Sequence, residues 1–169
     1  QAQAALDIKI TQGMEEALGQ VLEFREKEGI ALDRDLKQRV SAIREKLSLL
    51  EAYEDDRLIT IKDRIAKHLA TTFSSESYDE NRLEQEMIYY LEKLDISEEK
   101  VRLKNHCDYF LETLAEEESS GKKLGFISQE MGREINTLGS KANHNEIQRH
   151  VVEMKDELEK IKEQILNVL

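Results

Sequence analysis

Two groups of residues carry types and spacings from which chemistry can be built. In QEMGREINTLGSK, residues 129–141, Gln129, Arg133, Asn136 and Ser140 recur every three or four positions, and Glu130, Glu134, Thr137 and Lys141 form the row beside them. Such spacing puts each row on one stripe of a helix. Carboxylates four apart can share a divalent cation, and an arginine between them can grip a phosphate with two parallel hydrogen bonds. Asn136 and Thr137 are poor helix formers, which favours a task for them. The second group is Glu86, Asp95, Glu98, Glu99 and Arg102, with His106 four residues after Arg102. Both groups also have a plainer reading. The first can be a solvated face, the second a capped helix start with ordinary ion pairs four residues apart, and a lone histidine is more often a surface or packing residue.

Three glycines complicate the first group. Gly125, Gly132 and Gly139 are seven apart, so they share a stripe that drifts only about 20° per heptad. A helix-interior glycine costs about 1 kcal/mol relative to alanine. Several on one stripe imply a close approach there, by another helix or by a ligand. Elsewhere the chain excludes more than it offers. His68, His144 and His150 lack zinc-ligand spacing, no glycine-rich phosphate loop follows a strand, and Cys107 falls in an apolar row, where it reads as core.

The elements that must position these groups are helices. There is no proline or tryptophan, 36% of residues are charged and 39% hydrophobic, and no strand-length run alternates apolar with polar. The fold class is all-α: a long antiparallel helical hairpin over residues 1–72, then a helical bundle over 73–169. One long helix is expected from about Gln3 to Glu54, or two helices meeting near Gly29. Its heptad-like seam is Leu36, Val40, Ile43, Leu47 and Leu50, whereas EFREKEGIALDRDLKQR is charged nearly all round and reads as an exposed arm. A helix over 55–70, with Leu58, Ile61, Ile65 and Leu69 inward, is expected to pair with it. TTFSSESYDENR, residues 71–82, is the clearest break. The next helix runs to about Lys93 with Leu83, Met87, Tyr90, Leu91 and Leu94 inward.

DISEE starts another helix, with Ser97 as N-cap and acidic residues complementing the dipole. Its buried row is Leu103, Cys107, Phe110 and Leu114, and Gly121 is expected to close it in a left-handed cap. The helix over about 122–140 buries Leu124, Ile127, Met131, Ile135 and Leu138. The last carries Ile147, Val151, Met154, Leu158, Ile161, Ile165 and Val168, an unbroken 4–3 alternation typical of a coiled-coil-like helix.

A net charge of −11 argues against wholesale coating of nucleic acid, and no DNA partner is expected, although a local basic patch remains compatible with it. A single cysteine and no signal segment fit a reducing cytoplasm. No run approaches the roughly 18 apolar residues that span a bilayer, so no membrane partner is expected. The chain opens QAQAALDIKI without an initiator Met, as a piece of something longer would.

GKKLGFISQEMGREINTLGSKAN resembles the signature of the YicC family of bacterial endoribonucleases, with Gly125 where that pattern has Asp and Gly132 where it has Asn. KEQILNVL is similar to the family's terminus, with Leu169 in place of Glu. NRLEQEM and DISEEKVRLKNH match its central blocks, and REKEG its helical arm. The resemblance covers almost the whole chain and implies the family's C-terminal helical region without its N-terminal α/β domain. It implies RNA cleavage aided by a divalent metal, Mg or Mn, a homo-oligomeric ring (a hexamer), and a cytoplasmic role in RNA turnover. On that reading Glu86, Asp95, Glu98, Glu130 and Glu134 supply metal ligands. Arg82, Arg102, Lys122, Lys123, Arg133, Asn136 and Lys141 hold RNA. Glu86, Glu130, Glu134 and His106 are the catalytic candidates. Attack by the RNA 2′-hydroxyl, with His106 or a glutamate as base, is the alternative chemistry. A non-catalytic helical oligomerisation or binding module is the alternative function.

Overall fold

The computed structural model describes residues 2–72, 80–116 and 121–166, with backbone only at 2–8, 69–70, 72 and 80–83. Every described element is helical: α1 (Ala2–Leu49), a 3-10 turn (Leu50–Tyr53), α2 (Glu54–Thr72), α3 (Glu80–Lys93), α4 (Ser97–Leu114), α5 (Gly121–Lys141) and α6 (Asn145–Ile165). Of the expected break at 71–82, residues 71–72 belong to α2 and 80–82 to α3, and residues 73–79 lie outside the described residues, as do the side chains of Leu69, Arg82 and Leu83 and the whole of Val168 and Leu169.

The chain divides into two compact units, Gln1–Lys37 and Gln38–Leu169. The first is helical throughout its described length and passes Gly29 without a break, with no proline to interrupt it. Residues 9–31 are exposed, and Lys27–Glu23 and Lys37–Asp33 pairs one turn apart support the backbone from outside. Leu36 is the one fully buried side chain described there.

The second unit holds the core. Val40, Ile43, Leu47 and Leu50 are buried, as are Leu103, Cys107 and Phe110 of α4, Leu124, Ile127, Met131, Ile135 and Leu138 of α5, and Ile147 to Ile165 of α6 at the expected 4–3 spacing. α5 is the central helix, packed against α4 on one side and α6 on the other. Residues 38–49 of α1 are tied to these neighbours by ion pairs of Arg39 with Glu157, Lys46 with Glu153 and Arg44 with Asp108. Burial pushes the Cys107 thiol up to about 12, which keeps it protonated and inert.

α2 packs against α3 and the 3-10 turn. Several local expectations are corrected. Ser97 is the first residue of α4, not its cap. The Asp95 carboxylate accepts from the Ser97 N–H at 3.0 Å and from the Ser97 hydroxyl at 2.7 Å, which satisfies a donor the helix leaves open. Gly121 opens α5 and has no left-handed backbone. That conformation belongs to Asn143, with φ 46°, just past the end of α5, where asparagine is the usual substitute for glycine. Leu58 and Tyr90 reach the surface instead of the core.

Candidate functional site

The glycine stripe faces α6. A Cβ on Gly139 would stand 3.0 Å from Val151 Cγ1, one on Gly132 3.2 Å from Leu158 Cδ2, and one on Gly125 4.0 Å from Ile165 Cγ2. The stripe therefore serves close helix packing, tightest at Gly139, whose carbonyl also accepts from the Gln148 amide. The close approach is by a helix, not a ligand.

The motif residues separate into a buried knot and an exposed stripe. At the knot, Arg57 is 3% exposed, and its guanidinium donates to Ala142 O at 2.7 Å, to Lys141 O at 3.2 Å and to Leu94 O. These carbonyls sit at or just beyond the C-terminal ends of α5 and α3, where the backbone lacks partners and the dipole is negative. Burial draws the Arg57 pKa down, against Glu54 and Asp95, which hold it up. Alongside, Lys141 Nζ lies 2.6 Å from Glu99 Oε1 and donates to Asp95 O at 3.1 Å. Glu99 is 5% exposed, and its other oxygen has no partner among the described residues. Lys141 ends α5 and Glu99 lies in the first turn of α4, so each also complements its own helix dipole. Lys100 and Glu54 close the knot at 2.7 Å. Arg57 was not among the expected site residues, and Glu99 stood in the second group without a role of its own. Glu99 is indistinguishable by type from its neighbour Glu98, and Arg57 lies outside the apolar row expected of its helix.

The exposed stripe is the outer side of α5. Lys122, Gln129, Arg133, Asn136 and Ser140 are open to water. Lys122 and Asn136 have no polar partner among the described residues, and Arg133 has one lateral ion pair, to Glu130 at 2.7 Å. Glu134 is largely buried, at 9% exposed, without a hydrogen-bond or ion-pair partner among the described residues. α5 carries four cations against two carboxylates. It is the one net-positive helix in a chain of charge −11.

The remaining expected site residues are dispersed. Arg102 pairs with Glu98 one turn back. Lys123 is held by Glu116 at 2.8 Å and lies over the Tyr109 ring, and these contacts raise its pKa, the Glu116 hydrogen bond most. The Ser97 hydroxyl, then its N–H, holds the Asp95 carboxyl below the ordinary range. His106 is half-buried on α4. Glu86 lines a separate cleft of about 690 Å³ between α2 and α3, with Arg64, His68, Tyr90, Lys93 and Asn143. Among the described residues, no three His, Cys, Asp or Glu side chains stand together as a metal cage requires. No described helix is long and apolar enough to cross a membrane.

Comparison with known proteins bears on this arrangement. A family model described as "Endoribonuclease YicC-like, C-terminal" matches residues 50–169, which include the knot and the stripe. A protein named probable endoribonuclease YicC from Clostridioides difficile is 37% identical over 160 residues, 94% of this chain and 55% of the relative. One of the same name from Haemophilus influenzae is 29% identical over 164 residues, 97% of this chain and 56% of the relative. The chain spans about half the length of the curated relatives it matches. These matches show that the chain belongs to the YicC-like endoribonuclease family.

Proposed function

We propose, with that family membership as premise, that this chain is the helical part of an endoribonuclease and that the outer stripe of α5 holds its RNA. The observation that carries the reading is the outer side of α5: Lys122 and Arg133 stand there beside the amides of Gln129 and Asn136, while the chain as a whole is acidic. Phosphate binding needs such a local cluster, whatever the net charge. Arg133 and Lys122 would hold backbone phosphates, and Gln129 and Asn136 can hydrogen-bond to sugar or base edges. Lys123, Arg102 and Lys141 are already engaged with carboxylates, so their part in RNA binding is secondary.

The five carboxylates proposed as metal ligands do not fit a site made by one chain alone, because Asp95 and Glu98 are already engaged and Glu86 lines another cleft. A narrower arrangement fits better. Magnesium is commonly held by one or two carboxylates with substrate phosphates completing the shell, and Glu130 and Glu134 could serve in that way. Such an ion would neutralise charge on the scissile phosphate. Glu130 also positions Arg133 through their ion pair, and His106 or a glutamate is the candidate proton acceptor. A cytoplasmic role in RNA turnover and assembly into a homo-oligomeric ring belong to the same proposal.

The test incubates the protein at full length with a labelled structured RNA, with and without excess chelator, beside Glu130→Ala. Cleavage that disappears in both is the expected result. Cleavage untouched by chelator and ending in a cyclic phosphate would instead support 2′-hydroxyl attack. Intact RNA in every tube would leave the helices as a binding or assembly module.

A further inference from the structure

Phe126 stands in the wrong place for a packing residue. It lies on α5 between Gly125 and Ile127, and it is 64% exposed, whereas every other large apolar side chain of that helix is buried. Leaving it in water forgoes about 1.5–3 kcal/mol of burial that a phenylalanine can contribute. Its neighbours on the outer side of α5 are Lys122 one turn before it, Gln129 and Glu130 one turn after, and Arg133 two turns after. The nearby carboxylate is engaged by Arg133 at 2.7 Å. A face that docks protein presents a contiguous apolar patch. On α5 itself Phe126 is the one exposed large apolar side chain, set among cations and amides, which is the composition of a stacking platform for an unpaired base beside groups that hold its phosphates.

We infer that Phe126 stacks on an unpaired base of the bound RNA, so that this surface selects single-stranded segments over duplex. This rests on the RNA-binding reading of α5 and adds to it a contact with a base and a structural preference in the substrate. The ring is already outside the core, so its use needs no rearrangement. Arg133 and Lys122 would hold either form of RNA by its backbone, whereas Phe126 reaches only a base that is free of the stack.

The test uses Phe126→Leu, which keeps an apolar side chain without an aromatic face, and Phe126→Trp, which places a lone tryptophan in a chain that has none. Binding of a short labelled RNA strand, and of the same strand annealed to its complement, is titrated at fixed salt for these variants, the unaltered chain and Arg133→Ala. Phe126→Leu is expected to weaken binding of the unpaired strand about tenfold and leave the duplex unchanged. The tryptophan of Phe126→Trp should be quenched by the unpaired strand. Arg133→Ala should weaken both forms alike. If Arg133→Ala weakens binding but Phe126→Leu does not, and the tryptophan stays bright, the RNA reading survives and the stacking inference is overturned. If the unaltered chain binds neither RNA, both fall. A change in sedimentation with Phe126→Leu and none in RNA affinity would make the ring a contact between copies, which also overturns it.

Discussion

The knot around Arg57 and the outer stripe of α5 are built from the same kinds of residue, and they have opposite fates. At the knot, Arg57 and Glu99 are withdrawn from water and Lys141 is half-buried, all bound to one another or to helix-terminal carbonyls. On the stripe, Arg133 has 72% of its side chain exposed and a single lateral partner. A buried charge needs most of its hydrogen bonds met within the protein, so apart from the second oxygen of Glu99 the knot's polar groups are already engaged. The stripe has kept its capacity. Membership of a recurrent sequence pattern therefore does not mark a residue as a binding group. The pattern around residues 95–141 contains both the ties that fix α4 against α5 and the side chains those ties leave presented to solvent.

The largest expected effect breaks the knot. Arg57→Ala leaves three carbonyls without their donor and should lower unfolding free energy by about 3 kcal/mol in a denaturant titration. A loss below about 1 kcal/mol would mean that water replaces the guanidinium and that the knot is not a tie. Next comes the glycine flank, where Gly139→Leu must displace the buried Val151 and should cost about 2 kcal/mol. Gly125→Ala should have the opposite sign, since its methyl meets Ile165 at 4.0 Å and the helix gains up to about 1 kcal/mol. Thermal unfolding of the pair would show whether α6 approaches more closely at the C-terminal end of α5.

On the stripe, Arg133→Ala should alter stability by less than about 0.5 kcal/mol. It should weaken RNA binding and make its logarithmic salt dependence shallower by about one unit. A large loss of stability would erase the distinction between stripe and knot. The smallest effect concerns pH. The Asp95 carboxyl titrates below its ordinary value of 3.8. Its contribution is thus fully present above that value and is lost as pH falls through the lower folded one. Asp95→Asn should flatten the acid limb of a stability profile and lower stability slightly at neutral pH, where the carboxylate's contribution is fully present.

Much of the framework could be read from the chain. The steps of 4 and 3 through Leu36–Leu50 and Ile147–Ile165 identified the seams, because burial on a helix imposes that period. The glycines announced a close approach but not by what, since a helix and a ligand make the same demand on the backbone. Phe126 went unnoticed because reading the buried face stops at residues in phase with it, and a residue out of phase gives no period of its own. Arg57 was hidden more deeply. EDDRLITIKDR reads as a helix with Leu58 and Ile61 inward, and nothing in it shows that the ends of two other helices converge on Arg57.

The sequence by itself determined that this protein is all-α, where its apolar rows run, and which family it resembles. Those depend on local propensity, on period and on residue identity, all of which are written along the chain. Only the tertiary structure decided that the glycines receive α6, that Lys141 and Glu99, 42 residues apart, meet at 2.6 Å, and that Arg133 and Phe126 are left facing water. Lysine, arginine and glutamate look the same in a sequence whether they face a partner or solvent. Their roles are set by what the packing of other helices brings within hydrogen-bond reach.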